Sequence, residues 1–219
     1  MSGLAYSNEL YDTIASFGIH RGAAILDVAC GDGSASAPFA QNGFPVTGID
    51  ASAGAIETAR ARIPQAAFVE GRAEALPFPE ARFDVVLCAQ SIHLLDRDAA
   101  LREMTRVLKP GGILAIWWKN LMAGDGVRDA RDRAYGESGV PVPAEGLSGG
   151  FREFYAADEL RDQGVRVLPL RRAVTLDAFV QGEDPKVRAL LSQLLSAVTG
   201  AAAVVDLPYV QYLYLAKRR

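Results

Sequence analysis

Along roughly the first 120 residues, two kinds of segment alternate. Short, nearly continuous apolar runs of strand length are separated by longer stretches whose apolar residues recur at helical spacing. The runs fall at residues 24–29, 45–50, 67–70, 83–89 and 113–118, and the helical stretches at 8–18, 34–42, 53–62 and 98–108. Runs that are apolar on both faces are typical of parallel strands covered by helices. The pattern therefore predicts an α/β fold with a parallel sheet and right-handed crossovers.

The alternation stops near residue 118. Residues 119–152 contain seven glycines and two prolines, which predicts an insertion that is part loop and part helix, near 125–138. The remaining pattern predicts helices at 156–163 and 185–199, a strand at 165–170 with an extended stretch to 176, and a last strand at 209–216. We expect residues 1–219 to form one domain, with a core at about 20–118, a cap at 119–152 and a closing hairpin region at 153–219.

Composition and charge argue against several classes of function. The net charge of −3 leaves no overall basic field, so we expect no nucleic-acid partner. The N-terminal segment lacks the features of a signal peptide, and no apolar run reaches the roughly 18 residues of a membrane span. The two cysteines, Cys30 and Cys88, make no disulfide framework or zinc spacing. We therefore expect a cytoplasmic monomer or homodimer without a metal or a membrane partner.

The first predicted strand runs into a glycine turn, Ile25–Gly33 (ILDVACGDG), and the second predicted strand ends in an acid, Asp50. Open α/β sheets build nucleotide pockets from this order of strand, turn, helix and strand. Gly31 and Gly33 allow the backbone to approach a ligand that a Cβ atom would keep away. Asp50 is placed to accept hydrogen bonds from both hydroxyls of a ribose.

Two details of this turn separate the nucleotide classes. A dinucleotide site needs a third glycine, and Ser36 stands at that position. Asp27, within the first strand, would repel a pyrophosphate but attract an ammonium group. The residues therefore favour a ligand with a ribose, no phosphate and a cationic end, such as S-adenosylmethionine. An NAD(P)-dependent oxidoreductase remains an alternative.

Four blocks in register carry a resemblance to a known family: Ile25–Gly33, Val46–Ser52, Glu70–Leu95 and Leu101–Trp118. On these blocks, the chain resembles the class I S-adenosylmethionine-dependent methyltransferases of the small-molecule type, with a type-11 domain. The resemblance implies a Rossmann-like fold, with a mostly parallel seven-stranded sheet, an antiparallel last strand and helices on both faces. It also implies S-adenosylmethionine as cofactor, S-adenosylhomocysteine as product and a small molecule as methyl acceptor.

The resemblance leaves the acceptor atom open among oxygen, nitrogen and carbon. The Gln-x-x-His sequence from Gln90 to His93 is similar to that of the trans-aconitate methyltransferase group, which favours a carboxylate or hydroxyl acceptor. A protein that binds S-adenosylmethionine without transferring its methyl group is a second alternative.

The resemblance also assigns cofactor residues by position. Asp27 would attract the methionine ammonium, Asp50 would hold the ribose and Ala51 would pack on the adenine. Arg72 stands where relatives have an acid that accepts a hydrogen bond from the adenine amine, which an arginine cannot do. We expect the Ala73 backbone and Glu74 to replace that acid, or Arg72 to stack on the ring. The remaining predicted contacts with the cofactor are Ala29, Gly31, Gly33, Ala89 and Gln90.

Four residues are candidates for acceptor chemistry. His93 is the candidate general base, because an imidazole can remove a proton near neutral pH, and packing beside the cofactor is its alternative role. Tyr6 and Tyr11 lie in the N-terminal segment, which closes over the cofactor in many relatives, and hydrophobic anchoring is their alternative role. Trp117 and Trp118 end the fifth predicted strand; we expect one to face the core and the other, with Trp118 as the candidate, to face the acceptor. Methyl transfer from a sulfonium needs alignment of two molecules rather than a catalytic triad.

Overall fold

The structure is a computed structural model, and it describes residues 6–121, 126–141, 160–175, 180, 183–199 and 204–219. Its strands are β1 (Ile25–Val28), β2 (Val46–Asp50), β3 (Ala67–Glu70), β4 (Phe83–Ala89), β5 (Leu108–Leu121), β6 (Leu160–Thr175) and β7 (Val204–Arg218). Its α-helices are α1 (Asn8–Ser16), α2 (Ala37–Gln41), α3 (Ala53–Arg62), α4 (Arg97–Val107), α5 (Val127–Ser138) and α6 (Arg188–Thr199), and a 3-10 turn spans Ile92–Leu94. No helix in these ranges is long and apolar enough to cross a membrane.

The strands form one seven-stranded sheet in the order β3-β2-β1-β4-β5-β7-β6. β1 pairs in parallel with β2 and β4, β2 with β3, and β4 with β5. The sheet is mostly parallel, and its last strands are antiparallel. The order reverses between β1 and β4, and open α/β sheets bind ligands at the carboxyl ends of the strands next to such a reversal. The predicted α/β fold with seven strands is confirmed.

Helices cover both faces of the sheet because successive side chains of each strand point to opposite sides. Ile25 of β1 packs in a core with Leu10 of α1, and that core also takes in side chains of α2 and α3. Leu26, the next residue, packs in a second core with Met104 of α4. The two cores are called here the α1 face and the α4 face.

Local sequence signals explain where the helices begin. Ser7, Ser52 and Asp96 each stand before a helix and accept a hydrogen bond from a backbone N–H of its first turn. These side chains satisfy N–H groups that have no partner within the helix.

The structure differs from the sequence prediction in the last third of the chain. A helix was expected at 156–163, but residues 160–163 begin β6, and residues 156–159 lie outside the described ranges. β6 is one continuous strand to Thr175, where a strand and a separate extended stretch were expected. β6 contains Pro169, and it lies at the edge of the sheet, where a strand can accommodate a proline.

The chain divides into two compact units. Of the described residues, 6–118, 160–168 and 212–219 fall in the larger unit, and 119–121, 126–141, 169–175, 180, 183–199 and 204–211 in the smaller one. In the smaller unit, α5 and α6 share an apolar core that includes Ala134 and Leu191. The expectation of a single domain with a cap at 119–152 stays a prediction.

A buried ion pair lies within the smaller unit. Nε of Arg131 lies 2.7 Å from Oε1 of Glu183, and the side chains are 5% and 7% exposed. The Tyr135 hydroxyl donates to Oε2 of Glu183 over 2.6 Å, and Tyr135 also packs its ring against Arg131. The additional hydrogen bond matters because a buried pair that is not otherwise satisfied gains little over an apolar core.

In the larger unit, a pair of charged residues on α4 holds the loop between β3 and β4. Glu103 and Arg106 pair through two contacts of 2.7 Å. Glu103 accepts a hydrogen bond from the backbone N–H of Leu76, and Arg106 donates to the carbonyl oxygens of Leu76 and Phe78. Three backbone groups of a loop without regular structure are thereby satisfied, which fixes the segment that carries residues 72–74.

Gly48 gives a test of the packing around β2. A Cβ atom at Gly48 would lie 2.5 Å from Cδ1 of Phe68 and 2.9 Å from Sγ of Cys30, both buried. Overpacking of this kind costs about 1–3 kcal/mol, so we expect Gly48→Ala to lower the free energy of unfolding by that amount in urea titration. Gly54→Ala is the matched control, because nothing lies within 4 Å of a Cβ there and alanine favours the helix. Equal stability of the two variants would contradict this packing.

Candidate functional site

The turn after β1 runs through three residues with positive φ: Ala29 at 54°, Gly31 at 55° and Gly33 at 78°. The two glycines adopt this conformation at little cost, whereas alanine does not. Hydrogen bonds hold the turn, from the Gly33 N–H to the Cys30 carbonyl over 2.9 Å and from the Cys30 N–H to the Ile49 carbonyl over 3.0 Å. Strained backbone held in this way is common where a ligand binds.

The two glycines are required for different reasons. A Cβ atom on Gly31 would meet nothing within 4 Å, so this part of the backbone faces open space, as a ligand contact needs. A Cβ atom on Gly33 would lie 2.9 Å from Cδ1 of Ile63, so Gly33 allows α3 and β3 to pack against the turn. Both were predicted to lie under the ligand, and the packing role of Gly33 is an addition from the structure.

Asp50, at the end of β2, is tied to this turn. Its Oδ2 accepts a hydrogen bond from the backbone N–H of Gly31, and its Oδ1 accepts one from that of Ser52, both over 2.9 Å. A carboxylate has about four lone pairs, so each oxygen keeps capacity for a ribose hydroxyl. Ala51, the predicted adenine contact, lies between Asp50 and Ser52 and is exposed.

Asp27 of β1 is completely buried. Neither carboxylate oxygen has a hydrogen-bond partner among the described residues. Burial raises the pKa of Asp27 to about 7; the nearby Ser36 hydroxyl opposes this, and the charges of Asp50 and Asp32 add to it. The Ser36 hydroxyl donates its hydrogen bond to the Gly33 carbonyl over 3.4 Å. A buried acid with unused acceptors fits a cationic ligand group, since an unpaired buried charge is costly.

The backbone has a positive φ after β4, as it does after β1. Gln90 has φ of 60°, and its backbone N–H donates to the Trp117 carbonyl over 2.8 Å. The Ser91 hydroxyl is placed to bond the carbonyl of Ala89 at 3.0 Å and that of Ala29 at 3.4 Å, which links the ends of the two strands. The predicted residues Ala29, Ala89 and Gln90 are therefore brought together at the carboxyl edge of the sheet.

Tyr6 approaches the same edge from the N-terminal segment. Its ring contacts Trp117 edge-on, with centroids 5.5 Å apart and planes at 88°. The Gln90 side chain acts on this phenol against the effect of burial and lowers its pKa. Burial raises the pKa of Tyr6 above its usual range, and the charges of Asp27 and Asp32 raise it further, so the phenol stays protonated.

Tyr11 lies in α1, and its contacts hold this helix in place. Its hydroxyl donates to the Ala35 carbonyl over 3.0 Å, and its ring packs edge-on against Phe39 at 5.3 Å. These contacts fasten α1 to the segment after the glycine turn.

The two tryptophans of β5 lie on opposite faces of the sheet. Trp118, the candidate to face the acceptor, is 1% exposed on the α4 face and stacks on Tyr212 with centroids 6.0 Å apart. Trp117 lies on the α1 face with Tyr6. The structure therefore brings Trp117, and not Trp118, to the other predicted residues. The alternation of side chains along β5 was the signal that could have identified it.

Residues 72–74 are held at the start of the loop between β3 and β4. The Arg72 side chain is 73% exposed, and its Nη2 lies 3.3 Å from Oε2 of Glu74. Oε1 of Glu74 accepts a hydrogen bond from the backbone N–H of Asp96 over 3.2 Å, and Ala73 is 5% exposed. Glu74 is thus engaged in joining this loop to the start of α4.

His93 lies in the 3-10 turn after β4 and is half-buried. Burial lowers the pKa of His93, so the imidazole is neutral and can accept a proton near pH 7. Its neighbour Leu94 is 72% exposed, an unusual position for a large apolar side chain. Among the described residues, no group of three His, Cys, Asp or Glu residues is placed to hold a metal ion.

Comparisons with known proteins agree with this arrangement. The methyltransferase-domain family Methyltransf_11 matches residues 26–116. An uncharacterized methyltransferase of Synechocystis sp. is 40% identical over 106 residues, which cover 47% of this chain and 50% of the relative. A fatty-acid O-methyltransferase of Mycolicibacterium smegmatis is 40% identical over 112 residues, which cover 49% of this chain and 41% of the relative. The chain thus spans about half, or less, of the length of these curated relatives.

The fold is shared over nearly the whole chain with solved structures. One of these, a candidate type II methyltransferase from Anaeromyxobacter dehalogenans, has a TM-score of 0.70 and 23% identity over 97% of this chain and 96% of the other. Residues 26–116 of the chain therefore match a methyltransferase domain in sequence, and the fold is one that the chain shares with solved structures.

Proposed function

We propose that the protein transfers a methyl group from S-adenosylmethionine to a small-molecule acceptor. The observation that carries the proposal is Asp27, a buried acid with unused acceptors beside a glycine turn that is tied to Asp50. This pair of acids suits a ligand with a cationic end and a ribose. Both acids lie within the 26–116 segment that matches the methyltransferase domain.

S-adenosylmethionine would supply both the methyl group and its sulfide leaving group. The residues of this chain then bind and orient. Asp27 pairs with the α-ammonium, the remaining lone pairs of Asp50 accept from the ribose hydroxyls, and the open face of Gly31 allows close approach of the backbone. Ala29, Gly33, Ala89 and Gln90 shape the walls, and Ala51, Arg72, Ala73 and Glu74 remain the proposed adenine contacts.

A carboxylate or hydroxyl oxygen is the acceptor atom that the site favours. His93 is half-buried and neutral near pH 7, and it lies beside the exposed Leu94 on the turn that follows β4. This juxtaposition suits an acceptor with an apolar part and an oxygen nucleophile. The fatty-acid O-methyltransferase relative is consistent with this class of acceptor, whereas C-methyltransferase relatives of ubiquinone/menaquinone biosynthesis keep a carbon acceptor as an alternative.

The role of His93 depends on which oxygen accepts the methyl group. A hydroxyl must lose its proton as the bond to carbon forms, and His93 would take that proton. A carboxylic acid is already ionised near pH 7, so it needs alignment and no base. Tyr6, packed against Trp117, and Tyr11, hydrogen-bonded to the Ala35 carbonyl, would hold the N-terminal segment against the site.

The oxidoreductase alternative fits the site less well. A pyrophosphate would lie near Asp27, Asp32 and Asp50, and the charge of each acid would oppose it. Ser36 stands in place of the third glycine and is completely buried. Binding without transfer remains the second candidate, because the same acids would serve a cofactor-binding protein.

Titration calorimetry with S-adenosylhomocysteine tests the cofactor site. We expect micromolar binding to the wild type and at least a tenfold loss in Asp50→Asn, since one of its two acceptor oxygens is replaced by a donor. Asp98→Asn is the control, because Asp98 is an acid on α4 with a side chain 70% exposed. A radiolabelled transfer assay with fatty and hydroxylated acids then separates transfer from binding alone. Absence of binding to the folded wild type would contradict the proposal.

The pKa of Asp27 predicts how cofactor affinity changes with pH. An acid with a pKa of about 7 is mostly protonated at pH 6 and mostly ionised at pH 8, and only the ionised form pairs with an ammonium. We therefore expect the dissociation constant of S-adenosylhomocysteine to fall about tenfold from pH 6 to pH 8, with proton release that calorimetry in two buffers can measure. Asp27→Asn should bind more weakly and lose this dependence. A flat profile in the wild type would contradict the assignment.

His93→Ala distinguishes the two acceptor classes. With a carboxylic acid acceptor, we expect kcat to fall by much less than the roughly 100-fold that loss of a general base costs at minimum. His20→Ala is the control, because His20 is the other histidine of the chain and pairs with Asp84, away from residues 89–93. A fall of 100-fold or more, together with loss of the acidic limb of the pH profile, would instead identify His93 as a base acting on a hydroxyl.

A further inference from the structure

Trp117 is a buried residue on the α1 face of the sheet. Its side chain is completely buried, and its indole Nε1–H has no hydrogen-bond partner among the described residues. A buried polar group without a partner costs about 1–3 kcal/mol, and native structures contain few of them. Asp27 also has buried polar atoms without a partner, but these are two carboxylate oxygens, which accept hydrogen bonds rather than donate them.

Trp117 and Asp27 share one face of the sheet. In the register, Asp27 lies opposite Leu87 of β4, and Leu87 lies opposite Ala115 of β5, two residues before Trp117. Residues two apart on a strand point to the same face, so both side chains belong to the α1 face. Two strand spacings and two residue rises place their Cα atoms roughly 12 Å apart.

Tyr6 relates the two groups. Its ring lies edge-on against Trp117, and it packs on the core of the α1 face, the face to which the Asp27 side chain also points. The unpaired donor and the unpaired acceptors therefore lie near one aromatic side chain at the carboxyl edge of the sheet. All three residues fall in the larger compact unit.

We propose that the Trp117 indole N–H donates a hydrogen bond to the α-carboxylate of the same methionine end whose α-ammonium pairs with Asp27. An indole N–H can only donate and an ionised carboxylate can only accept, so the two groups sort the charges of a zwitterion. The α-ammonium and the α-carboxylate of an amino acid are attached to the same carbon atom. An acceptor and a donor on the same face of the sheet therefore suit this pair of groups. The inference rests on the proposed function and adds a cofactor-binding residue to it.

The test compares two ligands that differ only in the carboxylate: S-adenosylhomocysteine and its decarboxylated analogue. We expect Trp117→Phe to weaken binding of S-adenosylhomocysteine about tenfold or more and to change binding of the analogue by less than about twofold. Trp118→Phe is the matched control, because Trp118 is the neighbouring buried indole on the opposite face. It should affect the two ligands equally.

A second variant removes the N–H while keeping the shape of the ring. Replacement of Trp117 by 3-benzothienylalanine substitutes sulfur for the indole nitrogen, and it should reproduce the selective loss with an unchanged free energy of unfolding. This variant keeps the test valid if phenylalanine disturbs folding.

The outcomes separate this inference from the proposed function. Equal weakening of both ligands by either Trp117 replacement would show that Trp117 acts only by packing, and would overturn the inference while leaving cofactor binding intact. Unchanged binding of both ligands would overturn it as well. Failure of the wild type to bind S-adenosylhomocysteine at all would overturn the proposed function and, with it, this inference.

Discussion

The candidate site is arranged around a carboxylic acid in the middle of a fully buried strand. β1 is covered by helices on both faces and by β2 and β4 on both edges, and Asp27 has no contact with solvent there. Burial raises the pKa of this group to about 7, so keeping it ionised in the folded chain is costly. Because the folded state holds the proton more tightly than the unfolded state, stability falls as the pH rises from about 4 to 7. A cationic ligand would offset this cost, so the same residue weakens the free protein and favours its complex.

The backbone around Asp27 is held in place before any ligand binds. Ala29 and Gln90 adopt left-handed conformations at the ends of adjacent strands, and neither is a glycine. Hydrogen bonds of the Ser91 hydroxyl and of the Gln90 N–H hold the ends of β1 and β4, and Asp50 holds the glycine turn after β1. A site that is already rigid loses less conformational entropy on binding. The paired Glu103 and Arg106 have the same effect on the loop with residues 72–74, although their positions on α4 are far from that loop in sequence.

The sequence predicted the parts of the structure that local patterns determine. Apolar runs identified β1 to β4 almost to the residue, and the helical stretch at 53–62 identified α3. The helix expected at 156–163 was wrong at residues 160–163, because the pairing of β6 with a neighbouring strand outweighs the local composition. The pairing of Phe83 with Leu108 likewise starts β5 five residues earlier than the apolar run. Such differences arise from contacts between distant segments, which no local window contains.

The candidate site was predictable where spacing determines chemistry, as at Asp27, Gly31 and Asp50. It was not predictable where a role depends on which way a side chain faces. Trp117 and Trp118 are adjacent residues of the same type, so the sequence does not distinguish them. The register of β5 against β4 places Trp117 beside Tyr6. Gly33 shows the same limit, since its requirement comes from Ile63 of the segment after α3.

Charge compensation around the turn explains why a cation, in particular, suits this site. Three acids crowd the ends of β1 and β2. Nη2 of Arg62 lies 2.9 Å from Oδ2 of Asp32, and backbone N–H groups bond both oxygens of Asp50. Of these three acids, Asp27 is the one whose oxygens have no hydrogen-bond partner among the described residues. A neutral ligand would leave the charge of the Asp27 carboxylate uncompensated, and an anion would add a second negative charge beside it. An ammonium group would compensate the Asp27 charge.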